Sequence, residues 1–223
     1  MKKILLITHH EFGDPGIISK ILHKNYLLTT INFKNLKRLN LDDIQKYSAF
    51  ILFGGKMSAN SLSKETKVEY SFLSKLVKLN KTIIGICLGA QMIAKYFGSK
   101  IRKSKTKEVE IGYRNLISYN KIFFKGVKKL LQFHYEGIDY NKNMLTLAKG
   151  RIFEVDAFKI KSRKIYGFQF HPEVTAHMIQ NWYSNLSKKN KGTDNLEKIL
   201  KDHKKYKDIN YKWMSKALKL ILK

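Results

Sequence analysis

Short apolar runs alternate with stretches of helical period through the first hundred residues. Residues 4–8, Ile-Leu-Leu-Ile-Thr, read as a buried strand, and residues 16–24 carry Ile17, Ile18, Ile21 and Leu22 on one helical face. Residues 26–33 are rich in strand formers, and 49–53 form a continuous apolar run that ends in Gly54-Gly55. Over 64–79, Val68, Phe72, Leu73, Leu76 and Leu79 return to the helical period. Residues 82–86 are again a buried-strand run, and 88–97 resume the helix with Met92, Ile93, Tyr96 and Phe97. This rhythm predicts an α/β fold with three αβα layers and a mainly parallel central sheet covered on both faces.

After about residue 108 the texture changes. Strands are predicted over 107–116, 128–134, 145–148, 152–160 and 165–170, the last two joined as a hairpin by the polar turn Lys161-Ser162-Arg163. Thr175 can cap a helix running through Trp182, Asp194 opens a second, and a third is predicted over 208–222. No internal repeat is visible. Residues 188–193, Lys-Lys-Asn-Lys-Gly-Thr, read as a mobile surface connector. The expected organisation is one domain over 1–187, with a helical extension over 188–223 packed on it.

A chain of 223 residues buries a core large enough to need no covalent staples. Its one cysteine cannot form an intrachain disulfide and suits a reducing compartment, so a cytoplasmic location is expected. No window approaches the roughly 18 consecutive apolar residues of a membrane span. The Met1 end reads as a first buried strand, because its apolar core is too short for a signal peptide. The net charge of +27 makes an anionic partner a natural first thought. Lysine nevertheless far outnumbers arginine, the better reader of phosphate and guanine, and the lysines are scattered. No RRM, KH or zinc-finger pattern accompanies them. Solvated faces explain this charge better than a specific nucleic-acid site, and no membrane partner is expected.

The single cysteine stands in Ile83-Ile84-Gly85-Ile86-Cys87-Leu88-Gly89-Ala90-Gln91. Gly85-Ile86-Cys87-Leu88-Gly89 has the G-x-nucleophile-x-G form of a strand-to-helix elbow, in which small residues avoid a clash around a strained nucleophile. A helix starting after Cys87 favours the thiolate, and the Leu88 N–H would face a developing oxyanion. The alternative is a small buried structural side chain. A thiol nucleophile needs a base and an orienter for it. In Phe168-Gln169-Phe170-His171-Pro172-Glu173-Val174, a strand continued to its end would place His171 and Glu173 on the same side. Six other histidines compete for the base, so at this point context decides.

The stretches GICLGAQ and QFHPEV together resemble the class I glutamine amidotransferases, whose catalytic set is Cys–His–Glu. ILFGGKMSAN is similar to the family's GGP-S loop, EVEIGYRNL to the segment after the elbow helix, and LQFHYEG to its WHGD-type loop. The helices after Trp182 resemble those of stand-alone proteins similar to the amidotransferase domain of GMP synthetase. The motifs stand in the family's order and cover nearly the whole chain. The resemblance implies Cys87 as nucleophile, His171 as base and then acid, and Glu173 as orienter. It implies an oxyanion hole from the N–H groups of Gly55 and Leu88, and substrate contacts at Gly54, Gln91, Tyr135 and Glu136, the last two through backbone atoms. Lys56 departs from a family proline, as does Thr82, and Phe133, Tyr135 and Glu136 replace Trp, Gly and Asp.

The implied reaction is hydrolysis of the γ-carboxamide of L-glutamine through a γ-glutamyl thioester, with no metal or organic cofactor. No G-x-x-x-x-G-K-[ST] phosphate loop stands in the sequence, so a separate synthase is the expected ammonia acceptor. Two alternatives stay open. One is a γ-glutamyl hydrolase acting on a larger conjugate, which the changed Phe133–Glu136 loop would fit. The other is a non-enzymatic binding or regulatory protein of the same fold.

Overall fold

The computed structural model describes residues 1–9, 14–186 and 190–223. In the first half, strands and helices alternate as β1 (Lys3–Thr8), α1 (Ile17–Leu22), β2 (Leu27–Asn32), α2 (Leu41–Gln45), β3 (Ala49–Leu52), α3 (Lys64–Lys78), β4 (Thr82–Ile86) and α4 (Leu88–Tyr96). The apolar pattern predicts all of these but α2. That five-residue helix is too short for a period and is set by its cap, since Asn40 and Asp43 exchange side-chain and backbone hydrogen bonds in a capping box. The second half adds β5 (Ile101–Lys103), β6 (Glu110–Asn115), β7 (Ile117–Ser118), β8 (Lys129–His134), β9 (Glu136–Ile138), β10 (Met144–Lys149), β11 (Ala157–Ile160), β12 (Ile165–Phe168), α5 (Ala176–Ser184) and α6 (Leu196–Ile221).

Eight strands make the central sheet in the order β2-β1-β3-β4-β12-β11-β10-β7. From β2 to β12 neighbours run parallel, and from β12 to β7 they run antiparallel. Alternation along β1 divides the core. Leu5 and Ile7 join Phe72, Leu73 and Leu76 of α3 and Met92 and Ile93 of α4. Ile4 and Leu6 join Ile18 and Leu22 of α1 and Trp213, Met214 and Leu218 of α6 on the other face. The fold is therefore α/β in three layers with a mainly parallel sheet. A third cluster packs the antiparallel β6–β8 ribbon against α5 and the start of α6 through Ile111, Leu131, Ile179 and Ile199.

Three expectations need correction. The strand expected over 152–160 begins only at Ala157, because Gly150 N–H donates to the Phe153 carbonyl at 3.1 Å and closes a turn first. The helices expected from Asp194 and over 208–222 are one helix of 26 residues. No glycine or proline lies between Asn195 and Leu222 to break it, so the lysine-rich middle continues the helix. Its cap is Asn195, which accepts from Lys198 N, while Asp194 pairs with Arg114. The expected connector is also not loose where it is described. Val109 N–H donates to Lys191 O at 2.9 Å, and Thr193 bridges to Ile111. Residues 187–189, which carry the expected domain boundary, lie outside the described residues.

The C-terminal half of α6 supports the strand end that leads into the His171 segment. Trp213 stacks on Phe124 at 5.1 Å, meets Phe168 and Phe170 edge-on, and donates its indole N–H to Phe123 O at 2.8 Å. Tyr211 O–H donates to Val174 O at 2.6 Å, just past Glu173. Replacing Trp213 with alanine leaves an aromatic-sized cavity, so unfolding by urea should show a loss of about 3–5 kcal/mol. Leu220→Ala, at a position 58% exposed, should stay within about 0.5 kcal/mol of the parent.

Candidate active site

β4 ends in a sharp turn at Cys87, which has φ 49° and ψ −106° and caps α4. A side-chain-bearing residue at positive φ is strained and persists only where its surroundings over-determine it. Here they do. Cys87 N–H donates to Phe168 O at 2.8 Å, and Cys87 O accepts from Gln91 N at 2.9 Å. A Cβ at Gly85 would lie 2.6 Å from Ala90 N, and one at Gly89 would lie 2.2 Å from Leu52 O. Both glycines are thus required by close approach of backbone. The sulfur sits at the N-terminus of a nine-residue helix, where the dipole favours negative charge.

His171 and Glu173 lie beyond the end of β12, in a turn rather than the extended strand expected for them. Their pairing is nevertheless made, with His171 Nδ1 and Glu173 Oε1 2.8 Å apart and both side chains buried. His171 N–H is anchored on Leu131 O at 2.8 Å, and Glu173 O accepts from Ile17 N at the start of α1 at 2.9 Å. Trp182 meets the imidazole edge-on at 4.7 Å. Burial opposes a charge on His171, but the charges of Glu173 and Cys87, with hydrogen bonds to both, outweigh it and raise its pKa to about 10. Since Nδ1 is used by Glu173, Nε2 is left for the sulfur. A Cβ placed on Gly54 would lie 2.9 Å from His171 Cε1 and 3.4 Å from Cys87 Cβ, so base and thiol flank the same loop.

Gly54 and Gly55 follow β3 at the carboxyl end of the parallel strands, where open α/β sheets bind ligands. Among the described residues neither Gly55 N–H nor Leu88 N–H has a hydrogen-bond acceptor; Leu88 follows Cys87 directly, and Gly55 packs against the Leu88 side chain. The cleft in front of them has a volume of about 1080 Å³ and includes Cys87, Gln91, Tyr135, Glu136, His171 and Trp182 in its lining. Lys56 and Lys103 also face it. Tyr135 is half-exposed at the wall. The Glu136 carbonyl, expected to meet a ligand, is already filled from two sides by Gln91 Nε2 at 2.7 Å and His134 Nδ1 at 2.9 Å. Its carboxylate instead takes a hydrogen bond from Ser58 Oγ at 2.7 Å.

Behind the thiol lies a buried polar network that sequence reasoning missed. Gln169 Nε2 stands 3.7 Å from Cys87 Sγ, and Gln91 Nε2 donates to Gln169 Oε1 at 3.1 Å. Farther back, Gln132 joins His134 at 2.9 Å and Asp156 at 2.6 Å. Burial, with the charge of His171 behind it, pushes His134 down to about 3, leaving that imidazole neutral. Burial likewise pushes the Glu110 and Asp156 carboxyls up. The signal available in the sequence was a polar residue at an inward position between apolar ones, as in Phe168-Gln169-Phe170.

Known proteins agree with this architecture. A crystal structure of a glutamine amidotransferase from Thermotoga maritima superposes with a TM-score of 0.86 at 24% identity, covering 100% of this chain and 98% of that one. A glutamine-hydrolysing GMP synthase subunit from Pyrococcus abyssi is 32% identical over 139 residues, 60% of this chain and 71% of that protein. The GMP synthase of Wolbachia pipientis is 31% identical over 147 residues, and the match spans only 28% of its length. The glutamine amidotransferase class-I family pattern matches residues 16–185. The chain belongs to the class-I glutamine amidotransferase family.

Proposed function

We propose that the protein hydrolyses the γ-carboxamide of L-glutamine and passes the ammonia to a separate acceptor synthase. The observation that supports this most directly is the buried Cys87–His171–Glu173 set lining an open cleft, together with the Gly55 and Leu88 N–H groups, which have no acceptor among the described residues. The Cys87 thiolate attacks the amide carbonyl, and Gly55 and Leu88 N–H hold the oxyanion. His171 gives its proton to the departing ammonia, leaving a γ-glutamyl thioester. Water, deprotonated by the same imidazole, then attacks the thioester and releases glutamate. Gly54 would leave room for the substrate between loop and thiol. Tyr135 and the Glu136 carboxylate would bound the amino-acid end, and Gln91 could offer only its carbonyl oxygen, since both its amide hydrogens are engaged. The family relationship and the GMP synthase relatives support glutamine as the nitrogen source and a synthase as partner.

One observation favours a second reading. The cleft of about 1080 Å³ slightly exceeds the roughly 300–1,000 Å³ typical of sites for much larger ligands than an amino acid. Two lysines, Lys56 and Lys103, line it beyond the triad. A γ-glutamyl conjugate with an anionic leaving portion would use that space.

Three measurements check these readings. Glutamate release from L-glutamine should be lost by at least about 10³-fold in Cys87→Ala. Persistent turnover in that variant would remove Cys87 from the reaction. The Glu173 charge favours the imidazolium, so Glu173→Gln should lower the His171 pKa. The alkaline limb of kcat/KM should then move to lower pH, with a rate loss of about 10²-fold or more. An unmoved limb would mean that Glu173 does not orient the base. Finally, kcat/KM for glutamine should exceed that for γ-glutamyl dipeptides. The reverse order would establish the conjugate hydrolase instead.

A further inference from the structure

Gln169 and Gln91 are buried neutral side chains that the proposed chemistry leaves without a catalytic task. Gln169 is 0% exposed and Gln91 is 4% exposed. Their contacts run in one line from the Glu136 carbonyl to Gln91 Nε2, from Gln91 Nε2 to Gln169 Oε1, and from Gln169 Nε2 to Cys87 Sγ, at 2.7, 3.1 and 3.7 Å. An amide can turn either end toward a neighbour, but a backbone carbonyl can only accept. The Glu136 carbonyl therefore fixes the amino end of Gln91 toward itself. The remaining Gln91 hydrogen requires the carbonyl end of Gln169, and this leaves the amino end of Gln169 facing the sulfur. Turning Gln91 would set its carbonyl oxygen against that of Glu136, and turning Gln169 would set two amino groups against each other, in either case at the full cost of unmade hydrogen bonds in a buried site. The backbone of Gln169 is itself held, its N–H donating to Asp156 O at 2.8 Å.

We propose that Gln169 is a catalytic hydrogen-bond donor to the Cys87 thiolate and that Gln91 is the positioning residue that locks its polarity. The assignment deepens the proposed mechanism and rests on it for its catalytic part. The thiolate is buried, so a donor that cannot rotate away stabilises it before substrate arrives and again when the thioester breaks. Gln91 thereby acts on the nucleophile rather than chiefly on the substrate. Among the described residues, the titratable groups around the thiol include His171 with Glu173 behind it and neutral His134, while Glu136, His9, Lys56 and Lys103 also line the cleft. Neither substitution replaces any of these side chains.

The test uses the fact that Cys87 is the only cysteine in the chain. Alkylation by iodoacetamide therefore reports this thiol alone and needs no turnover. Against the parent, Gln169→Met should raise the apparent pH midpoint of alkylation by about one unit. The rate at pH 7 should fall only about threefold, because a less acidic thiolate is the stronger nucleophile. Gln169→Glu should move the midpoint further up, since it sets a second negative charge beside the sulfur. Gln91→Met should shift it in the same direction by a smaller amount, and in turnover should lower kcat with KM nearly unchanged. Circular dichroism identifies folded variants, and the Gln91 variant serves if those at Gln169 do not fold. Midpoints that superpose on the parent's would overturn the proposal, as would a Gln91 effect confined to KM. A parent that alkylates as described but does not turn over glutamine would count against the proposed reaction while leaving the thiolate donor standing.

Discussion

The site depends on one strained residue held in place by close backbone contact. Cys87 adopts a backbone conformation that side-chain-bearing residues rarely occupy, and a free peptide would relax it. Relaxation is blocked because β4 is central, hydrogen-bonded to β3 on one side and β12 on the other, while α4 lies almost on top of β3 at Gly89 and Leu52. The sheet sets the direction of the incoming chain and the packing of α4 sets that of the outgoing chain. Cys87 has to make the difference. Its sulfur is presented at the carboxyl end of the parallel strands because no other geometry joins those two elements.

The same constraint explains why His171 arrives from β12. Phe168 pairs with Ile86 in parallel register, so the chain leaving β12 passes alongside the elbow at the level of Cys87. Alternation then sends Phe168 and Phe170 into the aromatic cluster around Trp213, while Gln169 reaches the sulfur from the opposite side. Pro172 ends the extended course, and the turn that follows brings Glu173 back onto His171. Helix α6, though remote in sequence, therefore backs the strand end that carries His171. Its inner face is apolar apart from His203 and Asn210, and eight lysines lie along the rest of it.

The elements legible in the sequence were those with a period or a punctuating residue. The strands of the parallel sheet were visible as apolar runs, α3 and α4 as 3.6-residue periods, and the elbow as Gly85 and Gly89 around Cys87. Less visible was structure that depends on partners far away. Asp156 and Gln132 are polar in apolar surroundings only because they meet each other, 24 residues apart. The two expected C-terminal helices were one because polarity in the middle of a helix is no barrier to its backbone. His171 and Glu173 were identified correctly as neighbours for an incorrect reason: the expected strand geometry gave way to a turn that reaches the same contact.

The neighbours of the thiol are those that a reactive cysteine, rather than a merely buried one, would use. A structural cysteine acts as a small apolar side chain and is best surrounded by hydrocarbon, where its thiol stays protonated. Cys87 is as buried as such a residue, at 6% exposure, yet polar groups converge on it. It has a helix N-terminus beneath it, an imidazole held at a high pKa by Glu173, and an amide whose orientation is fixed by a backbone carbonyl. Each of these contacts would be a cost around a neutral thiol, because each holds a polar group away from water for little return. Around a thiolate the same groups supply the stabilisation that water would otherwise give, and they are already oriented when substrate arrives. The physical account of the burial and of the strain is then the same: both come from the close packing that places one sulfur where polar groups converge.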